Sequence, residues 1–430
     1  MANMHNEQQL LEALAAGERQ LTVVRSFMVS RPVVLPVGVE LYGEAQEDGS
    51  VPVLMFQDSD GVGVTADNVV RNLSIQTLPR RRAVFCAGTA DNLGSLLFED
   101  LILSGQFSFI MRKGSLRADV TIRRIHVLAA DTRARLEQPQ KYGVNVLQGA
   151  VTVYNFNADE RSCITLRAQG VSVGAAGCPV TGSGVFISGF GDVGGRVEVE
   201  ELTTGEVHST GRIPFGVANI ITAAVFIVYG AHAKHVVHEG MTATYGVNDM
   251  VLDAWGTVDV WEPRARVVSY GPSGVGFVNF GQVGRFEASA PLETYGLGAR
   301  GYNQYDGELG QGVFESIRTY GDGSVGIQLS RHVGRIEVLH DIETVGGVGN
   351  TLVKGVNVEL AATAFSVKDG GGVDELIVGG NITTQGDGSD ALVVERGGSI
   401  GELRVAGKIR ALGEGAQPTV VEEGAACGTE

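Results

Sequence analysis

The sequence predicts an all-β fold, a solenoid whose rungs are about 25 residues long and whose N-terminal end carries one short helix. Three observations predict it. First, a phrase ending in Gly recurs with its central residue at Tyr245, Tyr270, Tyr295, Tyr320 and Val345, always preceded by Thr or Ser and followed by Gly. A fixed step of this size marks repeated units that cannot bury their apolar faces alone and must stack. Second, 62 glycines among 430 residues with 43% apolar residues are too apolar for disorder and suit short strands joined by tight turns. Third, amphipathic helical periodicity is convincing in only one place.

That place is residues 7–16. Leu10, Leu11 and Leu14 share a face, Asn6 stands at the N-cap with Gln9 three residues on, and Gly17 stops the helix. Within an N-terminal segment 1–21, the helix is expected to cap the first rung and cover its strand edge. From residue 22 to 423 the chain reads as short alternating strands split by Gly and Pro. Residues 130–142 are polar and irregular and read as a loop of the length that often lines a site.

A looser repeat precedes the strict one: Asn72, Asp100, Arg124 and Asn155 occupy matching places in four turn-into-strand phrases. Asn and Asp tolerate the left-handed backbone that such a bend requires. Thr384-Gln385-Gly386 and Ala411-Leu412-Gly413 carry the repeat onward, and 424–430 reads as a frayed tail.

Repeats of about 25 residues built from three short strands, with no leucine-rich or WD signature, resemble the pectin-lyase-like superfamily. The resemblance implies a single-stranded right-handed parallel β-helix and a carbohydrate substrate. It supplies no catalytic motif.

Composition narrows the partners. A net charge of −16 argues against a nucleic-acid partner, which demands a concentrated basic face, and Arg80-Arg81-Arg82 reads as a solvated turn. Cys86, Cys163, Cys178 and Cys427 are widely spaced, which suggests free buried thiols rather than a zinc or disulfide framework. His232, His235 and His238 alternate across a strand, so no metal and no other cofactor is expected. Met1–Gln9 lacks the n- and h-regions of a signal peptide, and Ile220–Tyr229 is too short to span a bilayer. No membrane partner is expected, and the compartment stays open between cytoplasm and secretion after signal removal. Flat solenoid sides pair readily, so a homo-oligomer such as a trimer is expected.

Chemistry in a solenoid is read in columns. Seven residues after each phrase stand Leu252, Phe277, Tyr302, Ile327 and Leu352, an apolar column that should face the core. Eight on stand Asp253, Val278, Asn303, Gln328 and Val353; ten on stand Trp255, Phe280, Tyr305, Ser330 and Gly355. Alternation turns both of these outward, although a Gly turn could rotate the aromatic column inward. Tyr229 extends that column backward by local alignment.

Aromatic rings beside an acid and amides suit sugars, which show apolar faces and hydroxyl rims. Asp253 is therefore the first candidate carboxylate, with Asp249 or Asp306 as its partner for glycosidic cleavage. For Asp249 a turn-capping role competes. Trp255, Tyr305, Asn303, Gln328, Asn279, Tyr229 and Arg331 are the expected oligosaccharide contacts. Two rivals follow from the same residues. One is a lyase on uronic acids using Arg300, Arg318, Arg331 or Lys354, and the other is a non-catalytic binding or structural β-helix.

Overall fold

The computed structural model describes residues 2–353 and 356–429. The chain is nearly all β, 57% strand against 2% helix, with its strands joined in long parallel sheets. Lys354 and Gly355 lie outside the described residues. Contacts group into two compact units.

The first unit comprises Met1–Pro139, Leu147–His208 and Val228–Ala233. Its helix, Glu7–Ala15, begins where the sequence places it. The Asn6 side chain accepts a hydrogen bond from the Gln9 N–H at 3.0 Å, and the Gln9 side chain accepts one from the His5 N–H at 2.8 Å. Only Leu10 on this helix is buried. The expected cap is corrected in one respect: a strand, Ala2–Met4, precedes the helix and pairs in parallel with Gln20–Val23. The terminal strand edge is therefore supplied before the helix begins.

The looser repeat is a column of left-handed bends. Asn72, Asp100 and Arg124 have φ of 57°, 53° and 51°, and the strands around them pair in register. Its fourth member is Gly170 at φ 67°, not Asn155. Asn155 lies in the other sheet, paired with Met111, because the segment between the third and fourth bends is long enough to hold a strand of that sheet. Arg124, an unusual residue for this backbone, is held to Asp100 at 2.7 Å and Glu99 at 3.0 Å. The Arg80 and Arg81 side chains share Asp58.

The second unit comprises Gln140–Val146, Ser209–Ile227 and Lys234–Glu430. Here the 25-residue step becomes hydrogen-bond register. Thr244 pairs with Ser269, Ser269 with Thr294, Thr294 with Thr319, and Thr319 with Thr344. These hydroxyl residues are all buried. Thr319, for example, donates to the Ser324 carbonyl at 2.9 Å, which closes the turn after the phrase. The next residue of the phrase faces outward. Tyr245, Tyr270, Tyr295 and Tyr320 form a continuous stack with centroids 5.2, 5.3 and 4.5 Å apart. On the opposite sheet Leu252, Phe277, Tyr302 and Ile327 are fully buried, as the column pattern predicts.

Two sequence expectations fail here. The fifth rung does not enter the column: residues 349–353 and 356–360 form an antiparallel hairpin, and Ile327, Gln328 and Leu329 pair instead with Phe365, Ser366 and Val367. The inserted hairpin lengthens the step from Thr344 to its partner Thr384 to 40 residues. The tail is not frayed, since Ala426 and Cys427 pair with Ser399 and Ile400. The thiols also differ among themselves: Cys86 is buried, Cys178 is exposed, and Cys163 and Cys427 are intermediate. Among the described residues no helix is long and apolar enough to cross a membrane.

Candidate functional site

The strand Asp249–Ala254 opens a wall continued by Val275–Asn279, Arg300–Gln304 and Val325–Leu329, each paired in parallel with the next. Simple alternation would put Asp249 and Asp253 on one side. The strand departs from it, because Val251 and Leu252 are both fully buried in succession. At Gly276 and Gly301, one residue before Phe277 and Tyr302 as Val251 is before Leu252, an added Cβ would meet Leu292 and Ile317 of the core at 2.5 Å. Two inward positions in a row invert the side on which the first residues of the strand emerge.

The consequence is a cavity of about 680 Å³, within the roughly 300–1,000 Å³ range of small-molecule sites. Asp253, Val278 and Asn303 line it, as do Trp255, Phe280 and Tyr305. The two variable columns therefore share one space. Arg300 enters beside Met250 and Val275, and Asp306 and Arg331 complete the wall, ion-paired at 3.0 Å. Across from them lie Tyr142, Gly143, Val144, Ala218, Asn219 and Ile221.

Asp253 is the chemical centre of this space. It is fully buried, and neither carboxylate oxygen has a hydrogen-bond partner among the described residues. Burial pushes its pKa well above the usual carboxylate range, because an ion without solvent or partner is costly. Burial thus favours the protonated form of this side chain over the ionised one. Arg300, 5% exposed, keeps an Nε without a partner, and burial pulls its pKa downward. Phe280 and Tyr305 stack at 4.9 Å, and Trp255 stands edge-on to Phe280 at 6.1 Å.

Asp249 is corrected as a candidate: it does not line the cavity. Its carboxylate accepts hydrogen bonds from the Gly211 N–H at 3.0 and 3.1 Å, the Thr222 hydroxyl at 2.7 Å and the Gly246 N–H at 2.7 Å. This is the turn-capping role, and it occupies both oxygens. Burial still dominates its titration and pushes the pKa up to about 6 against those hydrogen bonds. Since the folded pKa is raised, stability is greatest below pH 4 and declines as pH rises to about 6, by about 3 kcal/mol. Asp249→Asn should lower unfolding free energy by about 1–3 kcal/mol at pH 3, where the wild-type carboxyl is already neutral, because one carbonyl oxygen cannot satisfy three donors, and it should abolish the decline in stability between pH 4 and 6. Urea unfolding that matched the wild type would contradict the structural role.

Other candidates divide in the same way. Asn279 is interior: its amide donates to Gln304 at 3.1 Å and to the Glu308 carbonyl at 2.9 Å, and its oxygen accepts from the Gly281 N–H. Gln328 is nearly buried, with its amide 3.5 Å from the Asn303 oxygen, and is not among the lining residues. Tyr229 belongs to the first unit, where it is buried. Arg318 is on the surface, paired with Glu343 at 2.9 Å. Among the described residues no group of three or more His, Cys, Asp or Glu side chains is placed to hold a metal ion. Sequence reasoning missed Tyr142, whose only signal was its place at the end of a long polar segment.

Comparison with protein-family models, with curated proteins and with solved structures finds no match for this chain.

Proposed function

We propose that the chain is a right-handed parallel β-helix that binds a neutral oligo- or polysaccharide in the Asp253 cavity and cleaves or transfers a glycosidic bond there. The observation that carries the proposal is a buried, unpartnered carboxyl group at Asp253 in a cavity walled by Trp255, Phe280 and Tyr305. Burial favours the protonated form of Asp253, and that proton would pass to the oxygen of a leaving sugar, which is the acid half of glycosidic chemistry. Asp306, half-exposed beside Arg331, supplies the second carboxylate in the same cavity. It would activate water or attack the sugar directly, while Asn303 hydrogen-bonds the hydroxyl rim. The aromatic strip takes the apolar sugar face.

The test is incubation with a panel of neutral hexaoses, reading new reducing ends and, separately, quenching of Trp255 emission. Cleavage should fall to background in Asp306→Asn, and Tyr305→Ala, which keeps the Trp255 probe, should weaken binding about tenfold, equivalent to ~1.4 kcal/mol. A panel neither bound nor cleaved by the wild type sinks the proposal; binding without cleavage reduces it to a carbohydrate-binding module. One observation favours a second reading, elimination on uronic acids. Arg300 offers the cavity a buried cationic group with a free Nε, and ultraviolet-absorbing unsaturated products would identify that chemistry.

A further inference from the structure

The aromatic strip is stacked at one step and interrupted at the next. Phe280 and Tyr305 are nearly parallel, 21° apart, whereas Trp255 and Phe280 are 71° apart and 6.1 Å between centroids. A ring from a distant part of the chain sits at the interruption. Tyr142 lies 4.5 Å from Phe280, tilted by 32°, and 5.3 Å from Trp255, edge-on. Both distances are shorter than the one separating Trp255 from Phe280.

That ring is carried by a short hairpin. Tyr142 and Gly143 are the two loop residues of a small antiparallel hairpin in which Gln140 pairs with Asn145 and Lys141 with Val144. Both loop residues have positive φ, 55° and 84°, the type I′ turn that Asn-Gly favours and a bulky aromatic does not. The hairpin joins the neighbouring sheet through two residue pairs, Asn145 with Ile220 and Val146 with Ile221. Tyr142 is 42% exposed, and its hydroxyl donates to the Phe280 carbonyl at 3.4 Å. A strained residue retained against its turn preference points to function at the site it covers.

We infer that Tyr142 is a built-in occupant of a ring subsite between Trp255 and Phe280, and that the 140–146 hairpin is a gate that must swing out before a ligand ring can reach Asp253. Asp253 lines the cavity yet has no exposed surface, so its cover has to move for any chemistry there. The inference rests on this cavity being a ring-binding site. Its test reads only access to Asp253, so it can fail or succeed independently of any sugar.

The probe is a water-soluble carbodiimide with glycine ethyl ester at pH 6, which couples to accessible protonated carboxyl groups, with Asp253 modification followed by peptide mass spectrometry. Tyr142→Asn removes the ring and installs the preferred turn dipeptide, so the hairpin is retained. Asp253 should label about tenfold faster in that variant, as when a gate open less than a tenth of the time is lost. Tyr142→Phe keeps the ring and should label at the wild-type rate. Equal labelling of wild type and Tyr142→Asn overturns the inference. So does rapid labelling of Tyr142→Phe, which would assign the closure to the hydroxyl rather than the ring. Acrylamide quenching of Trp255 in a Trp261→Phe background gives a second reading and should rise in Tyr142→Asn alone.

Discussion

Asp253→Asn should make the protein more stable at pH 8 while removing its proposed cleavage activity. Both halves follow from one fact, that the carboxyl group is fully buried with neither oxygen bonded. Its folded pKa is raised by burial. The native state therefore holds a proton that the unfolded chain releases above pH 4, and stability falls as pH climbs from there through the folded pKa. The loss is about 1.4 kcal/mol for each pH unit in that window. Asparagine has the same shape and does not titrate. Wild type and variant should be alike in stability at pH 3 and diverge steadily with rising pH, as urea unfolding at several pH values will show. Parallel curves would mean that Asp253 is partnered or solvated. On the proposed reading the amide cannot deliver a proton, and turnover should drop by about 10²–10⁴. A stabilising substitution that abolishes activity separates a functional strain from a structural role.

Gly296→Ala should be among the most damaging single substitutions in the second unit. The reason is close approach rather than backbone conformation. A Cβ at residue 296 would lie 1.9 Å from the Gly271 oxygen and 2.2 Å from the Gly271 carbon, both of the rung beneath. Backbone cannot yield as a side-chain tip can, so the rungs must part, at a cost of about 3 kcal/mol or more. Gly370 is the control. It has φ of +73° with nothing within 4 Å of an added Cβ, so Gly370→Ala should cost only the left-handed penalty of about 1–2 kcal/mol. Denaturant midpoints should rank Gly296→Ala well below Gly370→Ala. The reverse order would show that the turns tolerate separation of the rungs.

These two residues mark what can be read along the chain. The column of glycines was legible because steric need recurs at every rung, and recurrence is a sequence property. The same holds for the inward Thr and Ser of each phrase and for the buried Leu252, Phe277, Tyr302 and Ile327. Insertion of the 349–360 hairpin was legible only as a broken period. The step lengthens there, but nothing local tells a strand of the sheet from a strand folded back on its neighbour.

The site was legible in part. Counting from the Tyr-Gly phrase reaches Asp253, Trp255, Asn303 and Tyr305, and the structure gathers them in one cavity with Asp306 and Arg331. Their chemical roles are a separate question that the experiments above address. Asp249 was misjudged because strict alternation was assumed for a strand with two successive inward residues. Asn279 was misjudged because a polar residue beside an outward column can still turn inward when Gln304 and the Glu308 carbonyl satisfy its amide.

By itself the sequence determined the period, the nearly all-β character and the residues that repeat, since each depends on spacing along the chain and on steric demands renewed at every turn. Only the tertiary structure decided which carboxylate is buried without a partner and which is bound on both oxygens, and which distant ring closes the strip. Asp253 and Asp249 are four residues apart and chemically identical; what distinguishes them is that residues 211, 222 and 246 donate hydrogen bonds to Asp249 alone. Burial and hydrogen bonding are properties of neighbours in space, and no spacing in the sequence encodes them.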